Sequence, residues 1–397
     1  MTRFVRIGQR GITKYACRNY TAPLPANTIK YPLKGIAITH DYLNQFGGAE
    51  RAVEVLHEIF PQAPIYTSIY LPNKMPASFK QMDIRTSFMQ HLPSLEQHFK
   101  KYLFLYPLAF ESFDLSDYPV ILSSSSAFAK GVTKGPDACH ICYCYTPMRF
   151  AWRYWDYIEK ENISEFIKQM LPLFLGGLRK WDLRTNENVD HFIAISKYIA
   201  RRLAKFYKVA SEVIYPPVNV NSFSPSESVS DYFLIVSRLN AHKKLDIAVK
   251  AFNKLGLPLK VIGEGPYKNE LMAMAGKNIE FLGKVQDEEL PEHYSHCRAL
   301  IFPGEEDFGL TPVEAQAAGR PVIAYRAGGS LETVVENKTG VFFDSPNEIS
   351  LAEAVRKFLQ MDDFDVETIR ANALKFDKEV FKTRIRSFVE QKYLKFG

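Results

Sequence analysis

The segment from Glu306 to Glu314, EDFGLTPVE, contains the residue types best suited to binding an anionic substrate. It follows an apolar run that predicts a strand ending at Phe302, and Pro312 predicts that a helix begins within it. The free N–H groups and the positive end of the dipole at a helix amino terminus bind anions. We therefore predict an anion-binding turn at Phe308, Gly309, Leu310 and Thr311.

Two glutamates flank this turn. Gly309 allows the backbone to approach a ligand closely. Glu314 lies about one turn inside the predicted helix, where its carboxylate can accept hydrogen bonds from a ribose, and Glu306 lies before the helix, within reach of a sugar hydroxyl. The alternative is that both glutamates only favour the start of a helix, as acidic residues in a first turn do.

A second glycine turn occurs near the amino terminus. Gly47 and Gly48 separate a predicted strand, Gly35–Thr39, from an amphipathic helix, Ala49–Phe60. Strand, glycine turn and helix open a βαβ unit, and successive N–H groups in such a turn can contact a phosphate. A plain connecting turn is the alternative.

Strands and helices alternate along most of the chain. In the first half the predicted strands are Gly35–Thr39, Pro64–Ser68, Val120–Ser123, His140–Tyr145 and His191–Ile195. In the second half they are Tyr232–Val236, Pro258–Ile262, Asn278–Leu282, Ala299–Phe302 and Pro321–Tyr325. This alternation predicts an α/β fold with two Rossmann-like, doubly wound parallel sheets.

The domain boundaries follow from length and composition. A chain of 397 residues exceeds the roughly 250–300 residues of a single core, and the Pro216–Pro217 doublet begins a polar linker. We predict a basic extension at 1–33, Rossmann-like domains at 34–215 and 216–376, and an amphipathic helix at 377–397. Ligands of such sheets bind outside the carboxyl ends of the strands, which predicts a cleft between the two domains.

Composition excludes some classes of protein. No apolar run reaches the roughly 18 residues of a membrane span, and no apolar secretory signal is visible. Cys139, Cys142 and Cys144 stand beside His140 at spacings that hint at a metal, but the segment also predicts a buried strand. Unpaired thiols favour a reducing compartment. No nucleic-acid-binding motif is present, and Pro266 spoils the nearest match to a dinucleotide-binding glycine motif.

The segment from Glu305 to Val334, EEDFGLTPVEAQAAGRPVIAYRAGGSLETV, resembles the hallmark of the family-4 retaining glycosyltransferases of the GT-B fold. YFLIVSRLNAHKKLDIAVKAF resembles the family's strand–R-L-x-x-x-K–helix segment, and HDYLNQFGGAERAVEVL its glycine-rich first loop. CYCYTPMRFAW and RKWDLRTNENVDHFIAISKYIARR are similar to mannosyltransferases that build bacterial surface polysaccharides. The resemblance covers residues 35–395.

The resemblance implies a nucleotide-sugar site between the domains, with the carboxyl-terminal helix returning to the first domain. Arg238 and Lys243 are expected beside the diphosphate, where two cations stabilise the leaving group. Gly47 and Gly48 are expected opposite them. Gly283, in IEFLGKVQDEEL, and the turn from Phe308 to Thr311 are expected to bind the donor. Because these cations replace a metal ion, the resemblance implies no metal and no cofactor, and it implies retention through attack from the face that the nucleotide leaves.

One position departs from the family pattern. Related mannosyltransferases have H-T-P-M-R, with the histidine facing the donor sugar, where this chain has Tyr145-Thr-Pro-Met-Arg149. Tyr145 can still donate a hydrogen bond to a sugar hydroxyl. Arg149, and more loosely Asp41, are expected on the acceptor side.

The resemblance favours GDP-mannose as donor, with a UDP-sugar as the alternative, and a glycan or lipid-linked acceptor on the cytoplasmic face of a membrane. An anionic membrane suits three features: the acid-free basic stretch at 1–40, and the apolar and basic segments His98–Phe110 and Phe166–Trp181. Buried helices are the alternative for the last two, and a solvated tail or a transit peptide is the alternative for the first. A nucleotide-sugar-binding accessory protein without activity is the alternative from another class.

Overall fold

Seven parallel strands form the amino-terminal sheet of the computed structural model, which describes residues 35–152, 165–361 and 364–395. The strands run in the order β3-β2-β1-β5-β7-β8-β9, and β4 pairs with β6 outside this sheet. Their bounds are β1 Ile36–His40, β2 Ile65–Thr67, β3 Ile84–Thr86, β4 Asp114–Leu115, β5 Val120–Ser125, β6 Thr133–Lys134, β7 Cys139–Cys144, β8 His191–Ala194 and β9 Ser211–Val213.

The carboxyl-terminal sheet has six parallel strands in the order β12-β11-β10-β13-β14-β15. Their bounds are β10 Phe233–Val236, β11 Leu259–Ile262, β12 Ile279–Gly283, β13 Leu300–Phe302, β14 Val322–Tyr325 and β15 Gly340–Phe343. The central strands of both sheets are buried along their whole length because helices cover both faces of a parallel sheet, although β1 and β5 end in polar residues at their carboxyl ends.

Helices connect the strands of each sheet. In the first domain they are α1 Gly48–Ile59, α2 Leu95–His98, α3 Tyr106–Glu111, α4 Arg149–Trp152, α5 Glu165–Arg184 and α6 Lys197–Phe206, with 3₁₀ turns that include Phe88–His91, Phe99–Leu105 and Ala129–Gly131. In the second they are α7 Leu245–Leu255, α8 Lys268–Met274, α9 Leu290–His296, α10 Leu310–Ala317, α11 Ser330–Thr333, α12 Glu348–Leu359 and α13 Val366–Ala373.

The last helix, α14 Lys378–Leu394, packs on the first domain. The ring of Phe381 meets Tyr143 of β7 at 5.5 Å between centroids, and Lys382 pairs with Glu58 of α1 at 2.6 Å. The two chain segments that join the domains also pair with each other, since the Val218 N–H donates to the Phe376 carbonyl at 3.0 Å. The predicted fold class, two doubly wound domains with a returning helix, is confirmed.

Four strands had no counterpart in the sequence prediction: β3, β4, β6 and β9 have two or three residues each, which is too short to show a period of two. β15 was also missed, although it is buried throughout. Its first residue, Gly340, lies so close to β14 that an added Cβ would come within 2.0 Å of the Val322 carbonyl oxygen. Because this close approach requires glycine at the first position of β15, the apolar pattern on which the prediction depended is interrupted there.

The segments predicted to meet a membrane divide into buried and exposed parts. In His98–Phe110, Tyr106 and Phe110 belong to the core of the first domain, whereas Phe104 and Leu108 are 58% and 56% exposed. The extension at 1–33 lies outside the described residues. Phe166–Trp181 lies within α5, but the side chains of 165–174 are not described either. Within the described ranges, no helix is long and apolar enough to cross a bilayer.

Candidate active site

The candidate site lies where the loops after the carboxyl ends of the two sheets face each other. After β10 comes Arg238, whose guanidinium donates to the Gln45 side chain in the loop after β1, at 3.1 Å. After β7 comes Arg149, which contacts Asp307 in the loop after β13. These contacts join the two domains at the edge where α/β sheets bind ligands.

Lys243 and Glu306 form the closest charge pair on the second domain's side of the cleft. The Lys243 Nζ lies 2.6 Å from the Glu306 Oε1, and the two side chains keep 20% and 25% of their exposure. The Arg238 side chain is exposed beside them. Withdrawal from bulk water and the cations of Lys243 and Arg149 lower the pKa of His242 to about 4. His242 is therefore neutral near pH 7, while Arg238 and Lys243 supply the positive charge.

Lys244, next to this pair, has a structural position. It is exposed, and its φ of +56° places it in the left-handed region at the residue before α7. Residues with a Cβ adopt this region at a cost of roughly 1–2 kcal/mol. Lys243 and not Lys244 therefore faces Glu306.

Glu314 lies on α10 with its carboxylate 12% exposed. The Tyr294 hydroxyl donates to its Oε2 at 2.7 Å, and Arg51 from α1 approaches its Oε1 at 3.9 Å. Burial raises the pKa of Glu314, and Arg51 partly opposes that shift. Arg51 also pairs with Asp287 at 2.7 Å, so it joins the first domain to this side of the cleft.

The two predicted glycine turns meet across the cleft. A Cβ added to Gly48 would lie 2.7 Å from the Leu310 Cδ1, and a Cβ on Gly47 would lie 3.4 Å from the Arg238 Nη2. Gly309 precedes α10 with a φ of +87°, which a side chain rarely adopts. Thr311 is half-buried in the first turn of α10, beside Leu310. The structure thus brings together both glycine turns and Arg238.

Phe308 and Gly283 lie at the margins of this group. The Phe308 ring is 3% exposed and stacks on Tyr215, with centroids 5.6 Å apart, in a cluster completed by Phe376 at the domain connection. Only the backbone of Phe308 is therefore open to the donor role predicted for it. Gly283 ends the edge strand β12 with a φ of +71°, close to the Glu264 carboxylate.

Tyr145 is tied into its own domain. Its hydroxyl donates to the Ala49 carbonyl of α1 at 3.0 Å and contacts the Ser124 hydroxyl at 2.9 Å. The side chain is 9% exposed, and burial raises the pKa of the phenol. These contacts hold the start of α1 and leave the hydroxyl no proton for a sugar, in contrast to the catalytic contact that we predicted.

Asp41 also differs from its predicted place on the acceptor side. Its carboxylate is buried and accepts from the N–H groups of residues 126 to 129 at 2.6 to 3.1 Å and from the Ser126 hydroxyl at 2.7 Å. Both oxygens are thus occupied by the loop after β5. The carboxylate fixes the shape of this loop instead of facing an acceptor.

Arg149 does reach the cleft. It lies at the start of α4, its side chain is 36% exposed, and its guanidinium contacts the Asp307 carboxylate. Arg202 of α6 donates to the other oxygen of Asp307 at 3.1 Å. Asp307 and Arg202 lie within the quoted segments EDFGLTPVE and RKWDLRTNENVDHFIAISKYIARR, but neither was singled out as a site residue, because their contact joins positions 105 residues apart.

The cysteine group lies within the buried strand β7. Cys139, Cys142 and Cys144 are buried in β7. Burial lowers the pKa of the neighbouring His140 to about 4, and this imidazole bonds to the Ser123 hydroxyl and the Asn188 carbonyl. In the described part of the chain, no cluster of histidine, cysteine and acidic residues has an arrangement that could hold a metal ion.

Solved structures share this architecture. The Anabaena protein HepE in complex with UDP superimposes with a TM-score of 0.68 at 17% identity, over 90% of this chain and 100% of HepE. Sucrose-phosphate synthase from Thermosynechococcus elongatus gives a TM-score of 0.68 at 17% identity, over 91% of this chain and 100% of its own. Both have two Rossmann-like domains. The fold is GT-B.

Sequence comparison adds a family match and relatives that each cover about half of this GT-B protein. Residues 222–375 match the family model described as "Glycosyl transferases group 1". A glycosyltransferase of Methanocaldococcus jannaschii is 29% identical, over 48% of this chain and 56% of that protein. The GDP-mannose-dependent alpha-(1-6)-phosphatidylinositol monomannoside mannosyltransferase of Mycobacterium tuberculosis is 31% identical, over 48% and 57%. The chain thus spans little more than half the length of these relatives.

One residue of the quoted segment HDYLNQFGGAERAVEVL, His40, was not singled out by the sequence analysis. His40 ends β1, is 1% exposed, and its Nδ1 lies 3.1 Å from both the carbonyl and the hydroxyl of Ser124. Its Nε2 is 3.8 Å from Glu50, whose Oε2 accepts from the Gly47 N–H at 2.8 Å. His40, Ser124 and Tyr145 therefore form a buried group of contacting side chains that supports the Gly47–Gly48 turn. The H-D pair after a predicted strand was the available signal.

Proposed function

We propose that this GT-B protein is a retaining hexosyltransferase that uses a nucleotide-sugar donor. The observation that carries the proposal is the Lys243–Glu306 pair beside Arg238, opposite the Gly47–Gly48 turn. A departing nucleoside diphosphate gains negative charge, and preorganised cations next to helix amino termini stabilise that charge. In this proposal Glu306 accepts a hydrogen bond from a sugar hydroxyl, and Glu314 accepts from the ribose.

In the proposed reaction the acceptor oxygen bonds to the anomeric carbon on the face that the nucleotide leaves. The bond from that carbon to the diphosphate oxygen breaks, and the acceptor hydroxyl's proton passes to the phosphate. Arg238 and Lys243 neutralise the leaving group, so the proposal needs no metal ion and no cofactor. Arg149 lies on the first domain's side of the cleft, where the acceptor is expected.

GDP-mannose is the donor that we propose. The mannosyltransferase of Mycobacterium tuberculosis is named for GDP-mannose. Two segments of the first domain, CYCYTPMRFAW and RKWDLRTNENVDHFIAISKYIARR, resemble mannosyltransferases of polysaccharide assembly. A UDP-sugar is the second candidate. It is favoured by the bonding of Tyr145 away from the cleft, in the position where the related enzymes have a sugar-facing histidine, and by the HepE complex with UDP and glucose.

The acceptor that we propose is a glycan, free or lipid-linked, at the cytoplasmic face of a membrane. Phe104 and Leu108 lie exposed on consecutive short helices of the first domain, beside the exposed Lys101. Apolar side chains flanked by lysine favour contact with anionic lipid. We expect the protein to sediment with anionic vesicles at low salt and to dissociate as salt rises. Loss of sedimentation in Phe104→Ser/Leu108→Ser tests this surface.

The donor is tested by a thermal-shift panel of GDP, UDP and ADP with their sugars, followed by turnover of each stabilising donor. We expect GDP and GDP-mannose to stabilise, and an α-linked product to form from GDP-mannose in the presence of EDTA. Turnover of UDP-sugars alone contradicts the mannosyl assignment. Activity that manganese or magnesium restores after EDTA contradicts metal independence. Binding without any turnover supports the alternative of an inactive accessory protein.

A further inference from the structure

Asp307 lies between two residues that belong to different parts of the cleft. Glu306 before it pairs with Lys243, and Phe308 after it packs at the domain connection. The Asp307 side chain itself points to the other domain and is 11% exposed. Its Oδ1 accepts from the Arg202 Nη1 at 3.1 Å, and its Oδ2 accepts from the Arg149 Nε at 3.1 Å and from the Nη2 of the same arginine.

The backbone of this segment is held from both domains as well. The Ser196 hydroxyl, on the first domain, donates to the Asp307 carbonyl at 2.6 Å. The Gly329 N–H, on the second domain, donates to the Glu306 carbonyl at 2.8 Å. Because successive peptide groups are fixed from opposite sides, a shift of Asp307 moves Glu306.

Arg202 is a buried cation that donates a hydrogen bond to Asp307. Its side chain is 9% exposed and lies near the rings of Tyr198 and Phe206, at 5.8 and 6.0 Å from their centroids. Removing the partner of a buried charge strongly destabilises the folded protein. Asp307 has both arginines only while the two domains are together, so closure of the cleft and the position of Glu306 depend on the same ion pairs.

We propose that Asp307 is a positioning residue that sets the Glu306 carboxylate against the donor sugar when the domains close. It does so by accepting from Arg202 and Arg149 of the acceptor-side domain. This proposal rests on the proposed function, because Glu306 must contact the donor for its position to matter. A misplacement of about 1 Å in such a group reduces turnover by roughly 100-fold.

The test compares Asp307→Asn, Glu306→Gln and the double variant in steady-state turnover of the donor that the wild type uses. We expect Asp307→Asn to lower kcat by roughly 30- to 100-fold while the Kd for the free nucleotide changes less than about threefold. If Asp307 acts through Glu306, the double variant is no slower than Glu306→Gln alone, since effects of residues that act as a unit do not multiply. Asp344→Asn, which removes an exposed partner of Arg326 far along the same domain, serves as control and keeps wild-type kcat.

Wild-type kcat in Asp307→Asn, or multiplied effects in the double variant, overturns the proposal. If Asp307→Asn does not fold, Arg202→Met removes the same contact from the other side while keeping a long apolar stem beneath the rings, and we expect kcat to fall by roughly 10-fold or more. A wild-type protein that turns over no donor contradicts the proposed function instead, and the two failures are thereby distinguished.

Discussion

The two sides of the cleft use their polar residues differently. On the first domain, Asp41 and Tyr145 direct all their hydrogen bonds into their own domain. On the second, Lys243 and Glu306 pair with each other on that domain's side of the cleft, and Arg238 is exposed and reaches over to Gln45. Saturated side chains stabilise the shape of a site, whereas exposed charges retain the capacity to bind a substrate. We therefore expect the charged groups of the second domain to act on the substrate and the saturated groups of the first to hold the shape of the site.

The largest effect is expected at the cations of the second domain. Lys243→Ala and Arg238→Ala should each lower transfer by roughly 100-fold or more, because each removes positive charge from the departing diphosphate. Steady-state kinetics with circular dichroism of the variants measures this. Lys244→Gly is the matched control: it removes a neighbouring lysine, relieves the φ of +56°, and should retain turnover. Equal losses in Lys243→Ala and Lys244→Gly would mean that charge in this loop acts without regard to position.

Glu314 should affect binding more than turnover. If its carboxylate holds the ribose, Glu314→Gln should weaken nucleotide binding by about 1–3 kcal/mol, the range of a hydrogen bond to a charged group. Calorimetry with GDP and UDP measures this, with the exposed Glu353→Gln on α12 as control. Because burial raises the pKa of Glu314, affinity should begin to fall on acidification at a higher pH than for an ordinary glutamate. Unchanged affinity in Glu314→Gln would make it a helix-start residue only.

His140, one of the buried histidines of the first domain, makes the stability of that domain sensitive to acid. The pKa of His140 is about 4 in the fold against roughly 6.5 in the unfolded chain, so between these values the unfolded state binds the extra proton. The stability that His140 contributes by staying neutral in the fold is fully present above pH 6.5 and is lost as pH falls toward 4. Between pH 6.5 and 5 we expect a loss of about 2 kcal/mol. Urea unfolding at both pH values measures it, and His140→Gln should lose less stability over this interval. An equal loss in wild type and variant would assign the acid sensitivity to other groups.

The sequence was most informative where chemistry requires a particular backbone. Gly309, Gly48 and the EDFGLTPVE segment predicted the turn at α10 and its partner across the cleft, because only glycine meets the positive φ or the close approach found there. The alternation of apolar strands and amphipathic helices predicted both sheets. Asp41 fixes a loop of its own domain, whereas Asp307 contacts the other domain. Neither role could be predicted, because each depends on donors that lie 85 or more positions away along the chain.

Tyr145 provides the smallest effect and the most direct test of the comparison. If its hydroxyl only supports α1, Tyr145→Phe loses the bonds to Ala49 and Ser124, which should lower the free energy of unfolding by about 1 kcal/mol and leave turnover within roughly 10-fold of wild type. Tyr143→Phe is the matched control, since the Tyr143 hydroxyl donates to the Ile214 carbonyl at 3.2 Å and not to α1. Chemical denaturation and donor turnover are measured for both. If the two variants unfold alike but Tyr145→Phe alone loses about 100-fold or more in turnover, the tyrosine contacts the sugar after all, and the chemistry is shared between the domains.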